Sequence, residues 1–62
     1  MKFKYLLNLV KENKQPDMIK IDNHRFFWDP FRGDYYCVDY HIMLTQLFSP
    51  YELLELDVEI VE

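Results

Sequence analysis

Three side chains in the middle of the chain are of the types that bind zinc. His24 and His41 offer imidazole nitrogens, Cys37 offers a thiol, and Cys37 and His41 are four residues apart. Zinc fingers have closely spaced ligand pairs on both sides of the metal, and His24 has no neighbouring ligand of that kind. Isolated residues of these types are more often a buried cysteine and histidines at turns. We therefore expect no essential metal and no cofactor, with His24, Cys37 and His41 as the zinc candidates.

The single thiol is also a poor nucleophile by its surroundings in sequence. A reactive thiolate needs a cationic neighbour or a helix N-terminus to stabilise it, and Cys37 lies between Tyr36 and Val38. The chain has no glycine-rich phosphate loop and no order of Ser, His and Asp that indicates a catalytic triad. These features predict a protein without catalytic residues, which is not an enzyme.

The C-terminal segment is strongly acidic. Residues 49–62 carry five acidic and no basic side chains, a net charge of −5, whereas residues 1–48 carry seven basic and six acidic ones, a net charge of +1. Glu55, Asp57 and Glu59 alternate with apolar residues, which on a strand places the acids on one face, about 6.6 Å apart. The row is either a solvated face or a surface that binds a partner with a basic surface. The charge argues against direct binding of nucleic acid by this segment.

Eleven aromatic residues give the chain an unusually large aromatic content. Most of them are expected in the core, because a short chain needs large buried side chains. Two arginines are too few for the phosphate contacts that dominate nucleic-acid binding. Since Trp and Tyr are frequent at binding hot spots, we expect exposed partner contacts at Trp28, Tyr35 and Tyr40.

Length and cysteine content limit the class of protein. The 62 residues suffice for one domain, 1–62, and the single cysteine excludes a disulfide within the chain, which favours a reducing compartment. No stretch approaches the roughly 20 apolar residues of a membrane span. We expect a cytoplasmic protein with no membrane contact.

The N-terminal half predicts a helix followed by strands. Apolar residues at helical spacing indicate an amphipathic helix that ends before Pro16, and they are Phe3, Leu6, Leu7 and Val10. Residues 18–22 and 25–29 read as a β-hairpin around a polar turn, and residues 34–38 read as a third strand after the turn that contains Gly33.

The C-terminal half contains one ambiguous segment and one clear signal. Residues 41–48 fit either a short helix capped by Asp39, which we favour, or a strand. Ser49-Pro50-Tyr51-Glu52 matches a capping box with Pro at the first helical position. Residues 54–61 then alternate like a strand. The expected fold is α+β, with an N-terminal helix packed on a small antiparallel sheet of three to four strands and short helical turns near 41–53.

This layout resembles a group of very small proteins encoded by phages and prophages of low-GC Gram-positive bacteria. The segments that carry the resemblance cover most of the chain and are the helix from Leu6-Leu7 to Lys11, Pro16-x-x-Ile19-Lys20, Trp28-Asp29, Tyr35-Tyr36 and Val58-Glu59-Ile60-Val61-Glu62. The chain departs from the group where Glu55-Leu56-Asp57 replaces the commoner Asn-Asp or Asn-Glu pair. The resemblance implies a phage accessory protein that binds host machinery, and inhibitors of CRISPR effector nucleases are one such class.

Together these observations predict a non-enzymatic phage-type protein that binds and inhibits a host macromolecule through an acidic and aromatic surface. The expected partner is a host protein with a basic surface, such as a nuclease that binds nucleic acid. The alternative is a structural module that forms a homodimer through its aromatic hairpin.

Overall fold

Three helices and five strands make up the fold of residues 1–61, the part of the chain that the computed structural model describes. In chain order they are α1 (Phe3–Lys11), β1 (Met18–Ile21), β2 (His24–Asp29), β3 (Asp34–Cys37), β4 (Ile42–Met43), α2 (Leu44–Leu47), α3 (Pro50–Glu55) and β5 (Glu59–Val61). The strands form one antiparallel sheet in the order β4-β3-β2-β1-β5. The predicted α+β class and N-terminal helix are confirmed, with five strands where three to four were expected.

α1 packs on the sheet through the face that its spacing predicts. Phe3 and Leu6 are buried in the core, and Val10 packs against it. Leu7 is the exception, because it is half exposed and belongs to the solvent side of the helix. The helix ends before Asn13, whose φ of 58° is in the left-handed region that Asn tolerates.

A two-residue turn joins β1 to β2 and fixes the register of these two strands. Asp22 and Asn23 have φ values of 49° and 68°, and two successive positive φ values are typical of the type I′ turn of tight hairpins. The pairing of Ile21 with His24 follows directly from this turn.

Because side chains alternate along a strand, the sheet has two different faces. On the inner face, Ile19, Phe26 and Cys37 lie side by side across β1, β2 and β3, each no more than 1% exposed, and we call them the core row. The sequence neighbours of these residues point to the opposite face. They are Met18, Phe27 and Tyr36, which also pair across the three strands, and we call them the outer row. The apolar side chains of all three helices pack with the core row, so the helices cover the inner face.

The ambiguous segment 41–48 contains both of the structures that its sequence fits. Ile42 and Met43 form the short strand β4 beside β3, and the chain then turns directly into α2. The expected cap is wrong, since α2 begins after Met43 and no side chain caps it. Asp39 instead contacts His24, because the β2–β3 pairing brings these two residues together.

The capping box is confirmed. The Ser49 hydroxyl accepts a hydrogen bond from the Glu52 backbone N–H at 3.3 Å, and the Glu52 carboxylate accepts one from the Ser49 backbone N–H at 3.0 Å. Pro50 occupies the first helical turn, and the helix continues to Glu55.

The prediction of a strand over residues 54–61 is largely wrong. Leu54 and Glu55 belong to α3, and the strand β5 contains only Glu59–Val61. The capping box and Pro50 favour helical geometry that extends through the first residues of the alternating pattern. As a result Leu54 and Ile60 are exposed, whereas Val58 is buried as expected.

Backbone hydrogen bonds join the N-terminal residue to the segment just before β5. The Val58 backbone N–H donates to the Met1 carbonyl at 2.6 Å, and the Met1 ammonium donates to the Val58 carbonyl at 2.8 Å. Lys2 forms an isolated antiparallel bridge with Asp57. Within residues 1–61, none of the helices has the length and apolar character that crossing a bilayer requires.

Candidate functional site

The three zinc candidates do not come together. Cys37 is fully buried in the core row, whereas the two histidines lie at the surface and hydrogen-bond to other side chains. The His41 Nδ1 atom lies 2.9 Å from the Tyr36 hydroxyl. Among residues 1–61, no three His, Cys, Asp or Glu side chains are grouped closely enough to hold a metal ion.

The predicted aromatic contacts divide into one buried, one half-buried and one exposed residue. Tyr35 is only 2% exposed, so its prediction as an exposed contact is wrong. Its hydroxyl donates to the Pro16 carbonyl at 2.7 Å, and burial, together with the charge of Asp17, raises the pKa of Tyr35 to about 12. Trp28 is half-buried and packs edge-on against the Tyr35 ring, with centroids 5.1 Å apart, because the two residues pair across β2 and β3. Tyr40 is exposed, as predicted.

The three predicted acids are exposed but do not form one strand row. Glu55 is the last residue of α3, Asp57 lies between α3 and β5, and Glu59 is in β5. Lys2 and Lys20 reduce their charge locally. The Lys2 Nζ atom lies 3.3 Å from Asp57 Oδ1, and the backbone of Lys20 lies opposite that of Glu59 in the β1–β5 register. The regular spacing of about 6.6 Å predicted for a strand therefore does not exist.

A different acidic and aromatic surface lies on α3. None of the six residues of this helix is buried, and Tyr51 and Leu54 are 83% and 60% exposed. Residues three and four apart share a helix face, so Tyr51, Leu54 and Glu55 lie on the same side. We define the α3 surface as Tyr51, Glu52, Leu54, Glu55 and Asp57.

The sequence contained the signal for the α3 surface. Once the capping box fixes the start of the helix at Ser49, the positions of Tyr51 and Leu54 follow from helical periodicity. The backbone N–H of Ser49, and then its side chain, lower the pKa of Glu52, which favours the charged carboxylate on this surface.

A second aromatic side chain projects from the turn between β2 and β3. Phe31 is 98% exposed. The turn itself is well fixed, because the Asp29 carboxylate accepts hydrogen bonds from the backbone N–H groups of Phe31 and Arg32 at 3.0 and 3.3 Å. Gly33, with a φ of 63°, donates its N–H to the Asp29 carbonyl and closes the turn.

The outer row forms a third surface. Phe27 is 42% exposed at its centre, and the row lies on the face opposite the helices. Lys20 and Arg25 pair across β1 and β2 beside it and share its face of the sheet. An apolar row edged by charge is the usual composition of an interaction surface.

The exposed Tyr40 belongs to a cluster of three polar side chains. His24 Nδ1 lies 2.8 Å from Asp39 Oδ2, and His24 Nε2 lies 3.2 Å from the Tyr40 hydroxyl. No local sequence pattern indicates this cluster, since His24 is separated from Asp39 and Tyr40 by 15 and 16 positions. Phe26 lies opposite Cys37 in the antiparallel pairing of β2 and β3. His24, two residues before Phe26, is therefore brought close to Asp39, two residues after Cys37.

Comparison with known proteins found no matching family model, no matching curated protein and no matching solved structure. The phage accessory class therefore stays a prediction from the sequence.

Proposed function

We propose that this protein is a non-enzymatic, phage-type binding protein that acts in the host cytoplasm. It binds a host protein with a basic surface, such as the nucleic-acid groove of a CRISPR effector nuclease, and occludes that surface. The observation that carries the proposal is the α3 surface, where exposed Tyr51 and Leu54 lie among acidic side chains.

The composition of the α3 surface favours a partner over simple solvation. A helix that only keeps a domain in solution has its polar side chains outward, whereas α3 exposes an aromatic and an aliphatic side chain on one face. Tyrosine is enriched at binding hot spots because its ring gives contact area and its hydroxyl a hydrogen bond.

The negative charge of the α3 surface favours a partner with a positively charged surface. Glu52, Glu55 and Asp57 are exposed and lie within three residues of Tyr51 or Leu54 in sequence, and the Lys2 ammonium approaches Asp57. Electrostatic complementarity raises the association rate and the specificity of binding more than its affinity, and salt weakens it. The groove of a nuclease that holds nucleic acid is basic by function and fits this surface.

Inhibition of DNA cleavage by purified CRISPR effector nucleases from low-GC Gram-positive bacteria tests this proposal. We expect one nuclease of the panel to be inhibited, and expect Tyr51→Ser with Leu54→Ser to abolish that inhibition. Phe31→Ser is the matched control, because it also removes an exposed aromatic side chain but lies on a different element. Inhibition that is lost equally in both variants, or absent throughout the panel, would refute the proposal.

The alternative function is a structural module that dimerises through its aromatic hairpin, and the outer row favours it. Phe27 is exposed at the centre of a sheet face that the helices leave uncovered. Two copies that pack these faces together would bury both rows. Light scattering at micromolar concentration distinguishes this alternative, since a dimer mass that Phe27→Ser converts to a monomer mass supports it.

A further inference from the structure

The hydrogen bonds of the Tyr40 cluster define the tautomer of its neutral histidine. An ionised carboxylate only accepts hydrogen bonds, so the 2.8 Å contact with Asp39 places a proton on His24 Nδ1. In the neutral imidazole the other nitrogen, Nε2, then carries a lone pair, and it lies 3.2 Å from the Tyr40 hydroxyl. A carboxylate that orients an imidazole, which in turn accepts a proton from a hydroxyl, is the arrangement that activates oxygen nucleophiles.

The fold brings these groups together from the start of one strand and one loop. His24 is the first residue of β2, directly after the type I′ turn. Asp39 and Tyr40 lie in the loop between β3 and β4, where the neighbouring His41 has a φ of 53°. The rings of His24 and Tyr40 are tilted by 58°, with centroids 4.8 Å apart. The geometry is therefore set by the register of β2 and β3 together with the conformation of the β3–β4 loop.

A small, half-open cavity is lined in part by Tyr40 and His24. It has a volume of about 230 Å³, and its other lining residues are Asp22 and the apolar Ile21, Phe26, Leu47 and Phe48. An enclosed apolar cavity of about 150 Å³ holds a benzene molecule, so the volume of this open cleft is sufficient for a single aromatic ring. Ordinary ligand pockets are larger, at about 300–1,000 Å³. The cavity thus fits the aromatic part of a small electrophile and not a large substrate.

We propose that Tyr40 is an activated nucleophile and a site of covalent modification by electrophiles that carry an aromatic group. The Tyr40 oxygen attacks the acyl or sulfonyl centre, and His24 Nε2 takes the hydroxyl proton. The bond from that centre to its leaving group breaks, and the leaving group departs with the bonding electron pair. Asp39 is a positioning residue that holds the imidazole in the tautomer able to accept the proton. One group is added per chain, and the inference is independent of the proposed function.

Two other tyrosines in the chain, Tyr36 and Tyr51, serve as comparisons for the reactivity of Tyr40. Tyr36 has a histidine partner, His41, but among residues 1–61 no carboxylate is found hydrogen-bonded to that imidazole. Tyr51 is 83% exposed, and no hydrogen bond to its hydroxyl is found in the same range. If exposure alone determined reactivity, Tyr51 would react fastest of the three.

Benzenesulfonyl fluoride is the probe that tests the proposal on the intact protein. Attack by Tyr40 forms an O–S bond, releases fluoride and adds one benzenesulfonyl group, which intact mass and peptide mapping locate. Because general-base catalysis contributes at least about 100-fold in favourable sites, we expect Tyr40 to react at least about 10-fold faster than Tyr51 in this exposed one. Equal rates at Tyr40 and Tyr51 in the unmodified sequence would overturn the proposal without any variant.

Variants then assign the roles of the other two residues. We expect His24→Gln and Asp39→Asn each to lower the rate at Tyr40 to that of Tyr51, and Asp39→Glu to restore part of it. His41→Gln is the matched control and leaves the Tyr40 rate unchanged. Urea denaturation confirms that each variant is folded under the labelling conditions. If His24→Gln is unfolded, the labelling rate of Asp39→Asn tests the proposal by itself. A folded Asp39→Asn variant that labels Tyr40 as fast as the unmodified sequence would contradict the role of Asp39 and the proposal with it.

Methanesulfonyl fluoride tests the contribution of the cavity. This reagent has the same reacting group but no aromatic ring, so we expect the preference for Tyr40 over Tyr51 to shrink several-fold. An unchanged preference would show that the cavity does not hold the aromatic group, and would overturn that part of the proposal.

Discussion

The core row and the outer row cross the same three strands and have opposite surroundings. Phe26, at the centre of the core row, is 1% exposed, whereas Phe27, its neighbour in sequence, is 42% exposed at the centre of the outer row. Both are phenylalanines in the middle of β2, and their cross-strand neighbours are Ile19 and Cys37 for Phe26 and Met18 and Tyr36 for Phe27. The difference arises because the helices cover only one face of the sheet. It shows that a short chain can use similar residues for its core and for a surface available to a partner.

The strongest test of this comparison is Phe26→Ala. Removal of a buried phenylalanine side chain leaves a cavity and lowers the free energy of unfolding by about 3–5 kcal/mol. That loss is comparable to the whole stability of many small domains, so we expect the variant to be partly or fully unfolded without denaturant. Urea denaturation followed by circular dichroism measures it. A loss below about 1 kcal/mol would show that Phe26 is not the centre of the core.

The stability of the protein at alkaline pH tests the burial of Tyr35 on the inner face. Its pKa is raised from 10.0 to about 12, so between these values the folded state holds a proton that the unfolded state has lost. The free energy of unfolding therefore falls as the pH rises from 10 to 12, by up to about 2–3 kcal/mol for a shift of two pKa units. Urea denaturation over this pH range measures the fall.

Tyr35→Phe is the control for the alkaline experiment. This variant loses the hydrogen bond to Pro16, which costs about 1 kcal/mol near neutral pH, but it has no proton to lose at this position. We expect its stability to fall less steeply between pH 10 and 12 than that of the unmodified protein. Parallel curves for the two proteins would assign the alkaline loss to other groups.

Ser49→Ala tests the helix layer that covers the inner face. The substitution removes the hydroxyl that accepts the Glu52 N–H, and loss of such a cap costs about 1 kcal/mol. Thermal and urea denaturation measure this loss. Ser49→Asp restores a side-chain acceptor and should recover most of the stability, whereas equal losses in both variants would indicate that the cap contributes nothing.

The smallest effect is expected on the outer face, from Phe27→Ser. Exposed positions usually change the free energy of unfolding by no more than about 0.5 kcal/mol, and Phe27 buries only part of its side chain. We expect a loss of less than about 1 kcal/mol for the monomer. A loss as large as that of Phe26→Ala would mean that the two rows are equivalent, and that the outer face is covered in solution.

The sequence by itself determined the elements that depend on local periodicity and on capping. The spacing of Phe3 and Leu6 predicted α1, the polar pair Asp22-Asn23 predicted the first hairpin, and the capping box predicted α3. These signals are reliable because each rests on residues a few positions apart, whose geometry is set by the backbone itself.

Local signals failed where two of them overlapped. The alternating pattern of residues 54–60 fits a strand, but it begins inside a helix that the capping box had already started, so Leu54 and Glu55 became helical. Residues 41–48 fit both structures and contain both, because β4 pairs with β3 for two residues before α2 begins.

Only the tertiary structure decided which side chains are exposed and which ones meet. Burial of Tyr35 and exposure of Phe27 depend on which face of the sheet the helices cover, and strand alternation alone does not specify that face. The contact of His24 with Asp39 and Tyr40 depends on the register of β2 and β3, which joins residues 15 and 16 positions apart. The burial of one face of both strands against the helices selects this register together with the turn between them, so the contact between these distant residues is a property of the folded core.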